Sequence, residues 1–253
     1  MKYYSELLKL GLFTKEDINQ LAGNQETAKS ILRSALHNGY IERIRHNYYA
    51  VKSLETGQAI ANRFAIGSEI NSSAYISHHT AFEYYGMANQ VFSTVYISSV
   101  TKFQDFFHDG VEYKYLPSKQ SFGIVKPASH IKITDMERTI LDNIKDFTKI
   151  GGLEELLRCL SMVTVADEEK LLSYLAEYKN QFLYQKVGYI LSHFINIKLS
   201  QAFFSSCKQM IGKSKRYFFD GIQFESPKYY SEWQLFAPGE LMKLLDEGGD
   251  AIV

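Results

Sequence analysis

Two short groups of side chains near the start of the chain have the chemistry to read a nucleic acid. Gln25, Thr27, Lys29, Ser30 and Arg33 form the first, and Arg43, Arg45, His46 and Asn47 the second. A glutamine amide pairs with the edge of adenine, and lysine or arginine with guanine or with phosphate. Arginines grouped at a turn supply an attraction to the backbone that weakens as salt rises. The two groups act together only if one element lays the first along a groove while another holds the second against backbone or minor groove. Glu26 fits least, because a carboxylate facing phosphate repels unless it accepts from a cytosine amine.

The elements that would position these groups are legible. Helical spacing of Tyr4, Leu7, Leu8 and Leu10 predicts a first helix over residues 2–10, ended by Gly11. Thr14 caps a second, whose first turn carries Glu16 and Asp17 in keeping with the helix dipole. Ile18, Leu21 and Ala22 supply its apolar face, and Gly23 closes it. Asn24 caps a third, in which Ala28, Ile31, Leu32, Ala35 and Leu36 make one buried stripe. That stripe leaves Glu26, Ser30, Arg33, Ser34 and His37 on the far side, with Gln25, Thr27 and Lys29 at the helix start or flanks. Asn38-Gly39 is a helix stop. Strand-like runs at 40–44 and 48–51 flank Arg45-His46-Asn47, where asparagine tolerates a positive φ. Three helices and a ribbon in about fifty residues are the order of a winged helix-turn-helix. Its recognition helix meets the major groove with its N-terminal residues nearest the bases. A polar helix face alone is ordinarily just solvated; the agreement of the whole unit implies DNA.

Composition bounds the rest. The 253 residues are 45% hydrophobic and 22% charged, the balance of a chain that buries a core, and the formal net charge is zero. Residues 1–52 hold eight basic and five acidic side chains, so a head of +3 precedes a body of −3. Cys159 and Cys207 lie in helical patterns and read as free thiols of a reducing compartment. The N-terminus lacks a signal-peptide pattern, and no apolar run approaches the roughly 18 residues of a membrane span. The expected location is the cytoplasm, with no membrane partner.

Beyond the ribbon the apolar pattern breaks near residues 52–57, the expected boundary between a DNA-binding domain (1–52) and a C-terminal region (53–253). A connecting helix is expected from Ser53 to Gly67 on Ile60, Ala61, Phe64 and Ala65, and a second helix, capped by Ser77, is expected through Tyr85 and ended by Gly86. Residues 91–99, 111–116 and 131–133 read as strands, and residues 135–144 return to helix. Residues 151–212 are helical almost throughout, with helices at 153–161, 167–178, 182–194 and 200–211, and a short helix at 239–247 follows. The fold class is therefore α+β: a winged helix-turn-helix followed by a larger mixed α/β region, mixed to about residue 145 and mainly helical over 151–212.

The stretch KSILRSALHNGYIERIRHNYYAV resembles the winged helix of AbiEi-type antitoxins of type IV toxin–antitoxin systems, which are linked to phage defence and abortive infection. AYISHHTAFEYYGM (74–87), DMERTILDNI (135–144) and LYQKVGYILSHF (183–194) are similar to later blocks of that family, in the same order. One departure is Asn47, which stands where the family often has glycine before the wing's aromatic. The resemblance implies a repressor that binds inverted repeats upstream of its own operon. It also implies a C-terminal region that counters a partner toxin of the nucleotidyltransferase class, without a required stable complex.

Other constellations carry less. Glu112-Tyr113-Lys114 has the acid-x-lysine spacing of metal-dependent nucleases, but that chemistry needs an aspartate across a neighbouring strand. It reads as exposed residues of an edge strand. His78 and His79 are adjacent, so on a helix their side chains point about 100° apart, one packing and the other facing solvent. Arg138 and Asp142 are spaced to pair along one helix face, as a structural ion pair or a recognition surface. Lys213, Lys215 and Arg216 form the one dense basic cluster of the second half, a solvated turn or a secondary nucleic-acid contact. No catalytic residue, metal or cofactor is expected. The rival readings are a metal-dependent nuclease and a solitary regulator with a ligand-sensing C-terminal domain.

Overall fold

The computed structural model describes residues 3–218 and 227–247. These fall into two compact units, within Met1–Ile76, Phe92–Gln120 and Lys126–Ile133 for the first and Ser77–Val91, Ser121–Val125 and Thr134–Val253 for the second.

The first unit opens with α1 (Tyr4–Leu10), β1 (Leu12–Phe13), α2 (Lys15–Ala22), α3 (Gln25–His37), β2 (Ile41–Arg45) and β3 (Tyr48–Val51). The sheet order is β1-β3-β2, all antiparallel. This is the winged helix-turn-helix expected from the sequence, and its local causes are visible. Thr14 and Asp17 form a capping box on α2, satisfying N–H groups that the helix itself leaves free. Asn24 Oδ1 accepts from Thr27 N–H at 2.8 Å to start α3. Gly23 adopts φ +76 between the two helices, a left-handed turn that a side chain would strain. Ile18, Ala28, Ile31, Leu32 and Ala35 meet Ile41, Tyr49 and Val51 in one core. Leu36, expected in the stripe, lies at the stripe's edge and is exposed.

The same unit continues through α4 (Arg63–Ser68), β4 (Tyr75–Ile76), β5 (Thr94–Ser99), β6 (Phe106–His108), β7 (Val111–Pro117) and, from Lys126 to Ile133, most of β8 (Ile124–Ala128) and β9 (Ile131–Thr134). Strand order is β6-β7-β5-β4-β9-β8, with β5–β7 and β4–β9 parallel. The helix expected over 53–67 is confined to α4. Ser53 Oγ accepts from the N–H groups of Glu55 and Thr56, and Gly57 turns at φ +69, so side-chain turn chemistry displaces the helix there. Asn62 caps what remains. Glu112 and Lys114 are not on an edge, because β7 lies between β6 and β5.

The second unit comprises α5 (His78–Tyr84), α6 (Met136–Asp146), α7 (Gly152–Met162), α8 (Glu168–Tyr178), α9 (Gln181–Leu191), α10 (Gln201–Gln209) and α11 (Lys243–Glu247). It also holds β10 (Arg216–Tyr217), β11 (Lys228–Tyr230) and β12 (Leu235–Ala237), ordered β10-β12-β11. These three strands escaped the sequence reading because each is two or three residues long, too short to show alternation. Leu157, Leu160, Leu171, Leu175, Val187 and Ile190 anchor its core. At its centre α9 passes Trp233 so closely that a Cβ on Gly188 would lie 2.0 Å from the indole. Among the described residues no helix is long and apolar enough to cross a membrane.

Candidate nucleic-acid interface

Burying one stripe of α3 turns the opposite residues outward. Gln25, Lys29, Ser30 and Arg33 are exposed and Thr27 is half-buried. Glu26, the awkward acid, is held by Lys29, whose Nζ lies 2.8 Å from its carboxylate. The hydrogen bond from Lys29, joined by its charge and that of Arg33, pulls the Glu26 carboxyl below its usual range. The acid is thus partly masked within the first turn of the helix. Thr27, Ser30 and Ser34 line a recess of about 230 Å³ together with Tyr3, Tyr4 and Tyr40. This side of α3 therefore faces an aromatic wall, whereas Lys29 and Arg33 do not line it.

The ribbon turns at His46-Asn47, with Arg45 paired to Tyr48 and a bulge between Arg43 and Arg45. Asn47 takes φ +58. Its Oδ1 accepts from Lys15 N–H at 3.0 Å and its Nδ2 donates to Glu16 at 2.8 Å. The wing tip is thereby clamped to the first turn of α2, and the Asn47 amide, foremost among the causes, holds the Glu16 carboxyl low. Asparagine does what glycine would do for the backbone and adds two hydrogen bonds that glycine lacks.

Arg43 and His46 are exposed, and Arg43 Nε donates to the Arg45 carbonyl at 3.2 Å. Arg45 is half-buried, its guanidinium 5.4 Å above the Phe106 ring, and its Nη1 is enclosed with no hydrogen-bond partner among the described residues. The wing also meets β6 through Glu42, 3.0 Å from His108 Nε2. The nine predicted residues therefore divide into an outward set on α3, an exposed pair at the ribbon, and two residues, Arg45 and Asn47, engaged with the first unit itself. Lys213, Lys215 and Arg216 are all exposed, with Lys215 Nζ 5.0 Å from the Tyr229 ring.

Three further groups of residues lie in the second unit. Arg138 is buried, bonded from Nε to Asp142 at 3.3 Å, donating to the Phe122 carbonyl and stacked 4.7 Å from that ring. Tyr178 donates to the other Asp142 oxygen. Of the two readings left open for the DMERTILD helix, this buried pair is the structural one. His78 and His79 are both buried, where one was expected in solvent. Ser77 Oγ is 2.8 Å from His78 Nδ1, and Asp146 3.5 Å from its Nε2. His79 meets Glu83, Glu155 and Cys159. The sequence reading passed over this cluster because His79 and Cys159 are distant in the chain. The signals present were His79-x-x-x-Glu83 and Glu155-x-x-x-Cys159, each placing two donors on one helix face.

Residues 3–52 match the family described as "Transcriptional regulator, AbiEi antitoxin". No curated protein sequence matches the chain significantly. Among solved structures, the fold is similar to that of the RV2827C protein from Mycobacterium tuberculosis, with a TM-score of 0.65 and 16% identity over 94% of this chain and 90% of that one.

Proposed function

We propose that the chain is a DNA-binding autorepressor and antitoxin, with residues 1–52 as the operator-binding part and residues 53–253 as the part that counteracts a nucleotidyltransferase-type toxin. The observation that carries the DNA half is the outward face of α3. Lys29 and Arg33 stand clear of the core, on a helix started by the Asn24 side-chain cap and beside a wing clamped to α2. The match of residues 3–52 to a transcriptional regulator and antitoxin family supports the same reading.

In this mechanism α3 enters the major groove and occludes the promoter of the protein's own operon at inverted repeats. Gln25, Lys29 and Arg33 meet base edges or phosphates, and Thr27 and Ser30 meet the backbone at the flank. Arg43 and His46 lie along backbone or minor groove. Arg45 leaves Phe106 for a phosphate, which gives its enclosed Nη1 an acceptor. Lys29 exchanges Glu26 for DNA, so the acid acts as a placeholder in the free protein. The chain acts through binding and performs no catalysis, and it antagonises the toxin without a required stable complex.

Fluorescence anisotropy on duplex DNA from upstream of the operon tests the first half. The expected result is tighter binding to that DNA than to a shuffled duplex, with affinity falling steeply as salt rises. Equal, weak binding to both duplexes would remove the repressor reading. Growth of cells expressing the neighbouring gene, with and without this chain, tests the second half. A toxic neighbour that the chain does not rescue would remove the antitoxin reading.

A further inference from the structure

Three different donor types from two helices converge inside the second unit. His79 Nε2 on α5 lies 2.8 Å from Glu155 Oε1 on α7, and Cys159 Sγ lies 3.5 Å from the same oxygen. The three donor atoms are all within 4.8 Å of one another. His79, Glu155 and Cys159 are only 1%, 6% and 1% exposed, which excludes an ordinary solvated surface cluster. Behind the histidine, Glu83 Oε1 stands 3.0 Å from Nδ1.

We propose that this cluster is a zinc site, with His79 Nε2, a Glu155 oxygen and Cys159 Sγ as ligands and Glu83 as the residue that orients the imidazole. Charge favours an ion. Glu83 and Glu155 both set a carboxylate against the buried imidazole, and buried charge is costly unless compensated. A divalent cation at the common focus brings positive charge to these carboxylates and gives the thiol a role. Orientation agrees: a carboxylate on Nδ1 fixes the tautomer and turns the Nε2 lone pair to the metal, the usual outer partner of a metal-bound histidine. One nitrogen, one oxygen and one sulfur suit a borderline-soft, tetrahedral ion, which selects zinc over magnesium or calcium. The fourth position falls to a water or to the second oxygen of Glu155. Loading releases the Cys159 thiol proton and the proton shared between His79 and Glu155 to solvent. The ion would staple α5 to α7, joining residues that are distant in sequence. It is independent of the operator and toxin readings.

The test uses the full chain. Zinc retained after gel filtration is measured by elemental mass spectrometry, and the chelated protein is then titrated with Co2+. Zinc stoichiometric with the chain is expected, as is a cobalt adduct with tetrahedral visible bands and a thiolate-to-cobalt charge-transfer band. Cys159→Ser should abolish the charge-transfer band while Cys207→Ser keeps it. Glu83→Gln, which preserves volume, should weaken cobalt affinity by about 10–100-fold. Should Cys159→Ser not fold, the Glu83→Gln titration decides the question alone. A wild-type chain that neither retains zinc nor develops the cobalt bands overturns the site, leaving a hydrogen-bonded Glu83–His79–Glu155 row. So does a charge-transfer band that survives Cys159→Ser, or a Glu83→Gln affinity equal to wild type.

Discussion

In the proposed complex, Arg33 and Asn47 separate two ways in which a single side chain serves DNA binding. Arg33 is exposed on α3 and is outside the aromatic recess, so its contribution belongs to the complex. Arg33→Ala should leave the melting temperature nearly unchanged and weaken operator affinity by about 1–3 kcal/mol if the guanidinium reads a base. Anisotropy titration checks this, and an unchanged affinity removes Arg33 from the interface. Asn47 acts earlier, by holding the wing. Asn47→Gly keeps the positive φ but loses the bonds to Lys15 and Glu16. Hydrogen bonds of this kind are worth about 1 kcal/mol net, and glycine adds freedom to the unfolded chain. A lower melting temperature is expected together with weaker binding. Stability equal to wild type would show that the clamp contributes nothing.

At the scale of elements, the second unit is organised around two positions with opposite demands. On α6, Arg138 is buried with Asp142, and Tyr178 and the Phe122 carbonyl complete the network. Removing one partner of a buried pair leaves a charge uncompensated, so Arg138→Ala should cost about 3–5 kcal/mol in urea unfolding. A cost under about 1 kcal/mol would mean that solvent reaches Asp142 readily. On α9, Gly188 is required by contact: a Cβ there would lie 2.0 Å from Trp233 Cζ3. Gly188→Ala should destabilise by about 1–3 kcal/mol through overpacking. Trp233 is the single tryptophan, so its emission should shift as the ring is displaced. An unshifted spectrum would show that α9 moves away without cost.

For the molecule as a whole, the proposed division of labour needs a test that leaves the fold intact. Deleting residues 1–52 would take Tyr48 from the Ile66 carbonyl, 3.0 Å away, and Arg45 from Phe106. A full-length Arg33→Ala/Arg43→Ala variant avoids both losses, since each side chain is exposed. It should fail to bind the operator and relieve repression, yet still rescue cells from the neighbouring toxin. Loss of rescue in a folded variant would show that antitoxin action depends on DNA binding.

What the sequence determined by itself was local. Thr14, Asn24, Gly23 and Asn38-Gly39 start and stop helices through contacts within a few residues, and the apolar stripe of α3 follows from helical spacing. These signals suffice for a winged helix. The tertiary structure decided whatever depends on residues far apart in the chain. It turned Arg45 onto Phe106, tied Asn47 to α2, made β7 an interior strand and brought His79 to Cys159. The helix expected over 53–67 was lost for a local reason instead, the turn that Ser53 and Gly57 form. Periodicity reports which face an element buries, because that depends on its own backbone geometry. It carries no record of which distant residue will be found on the other side.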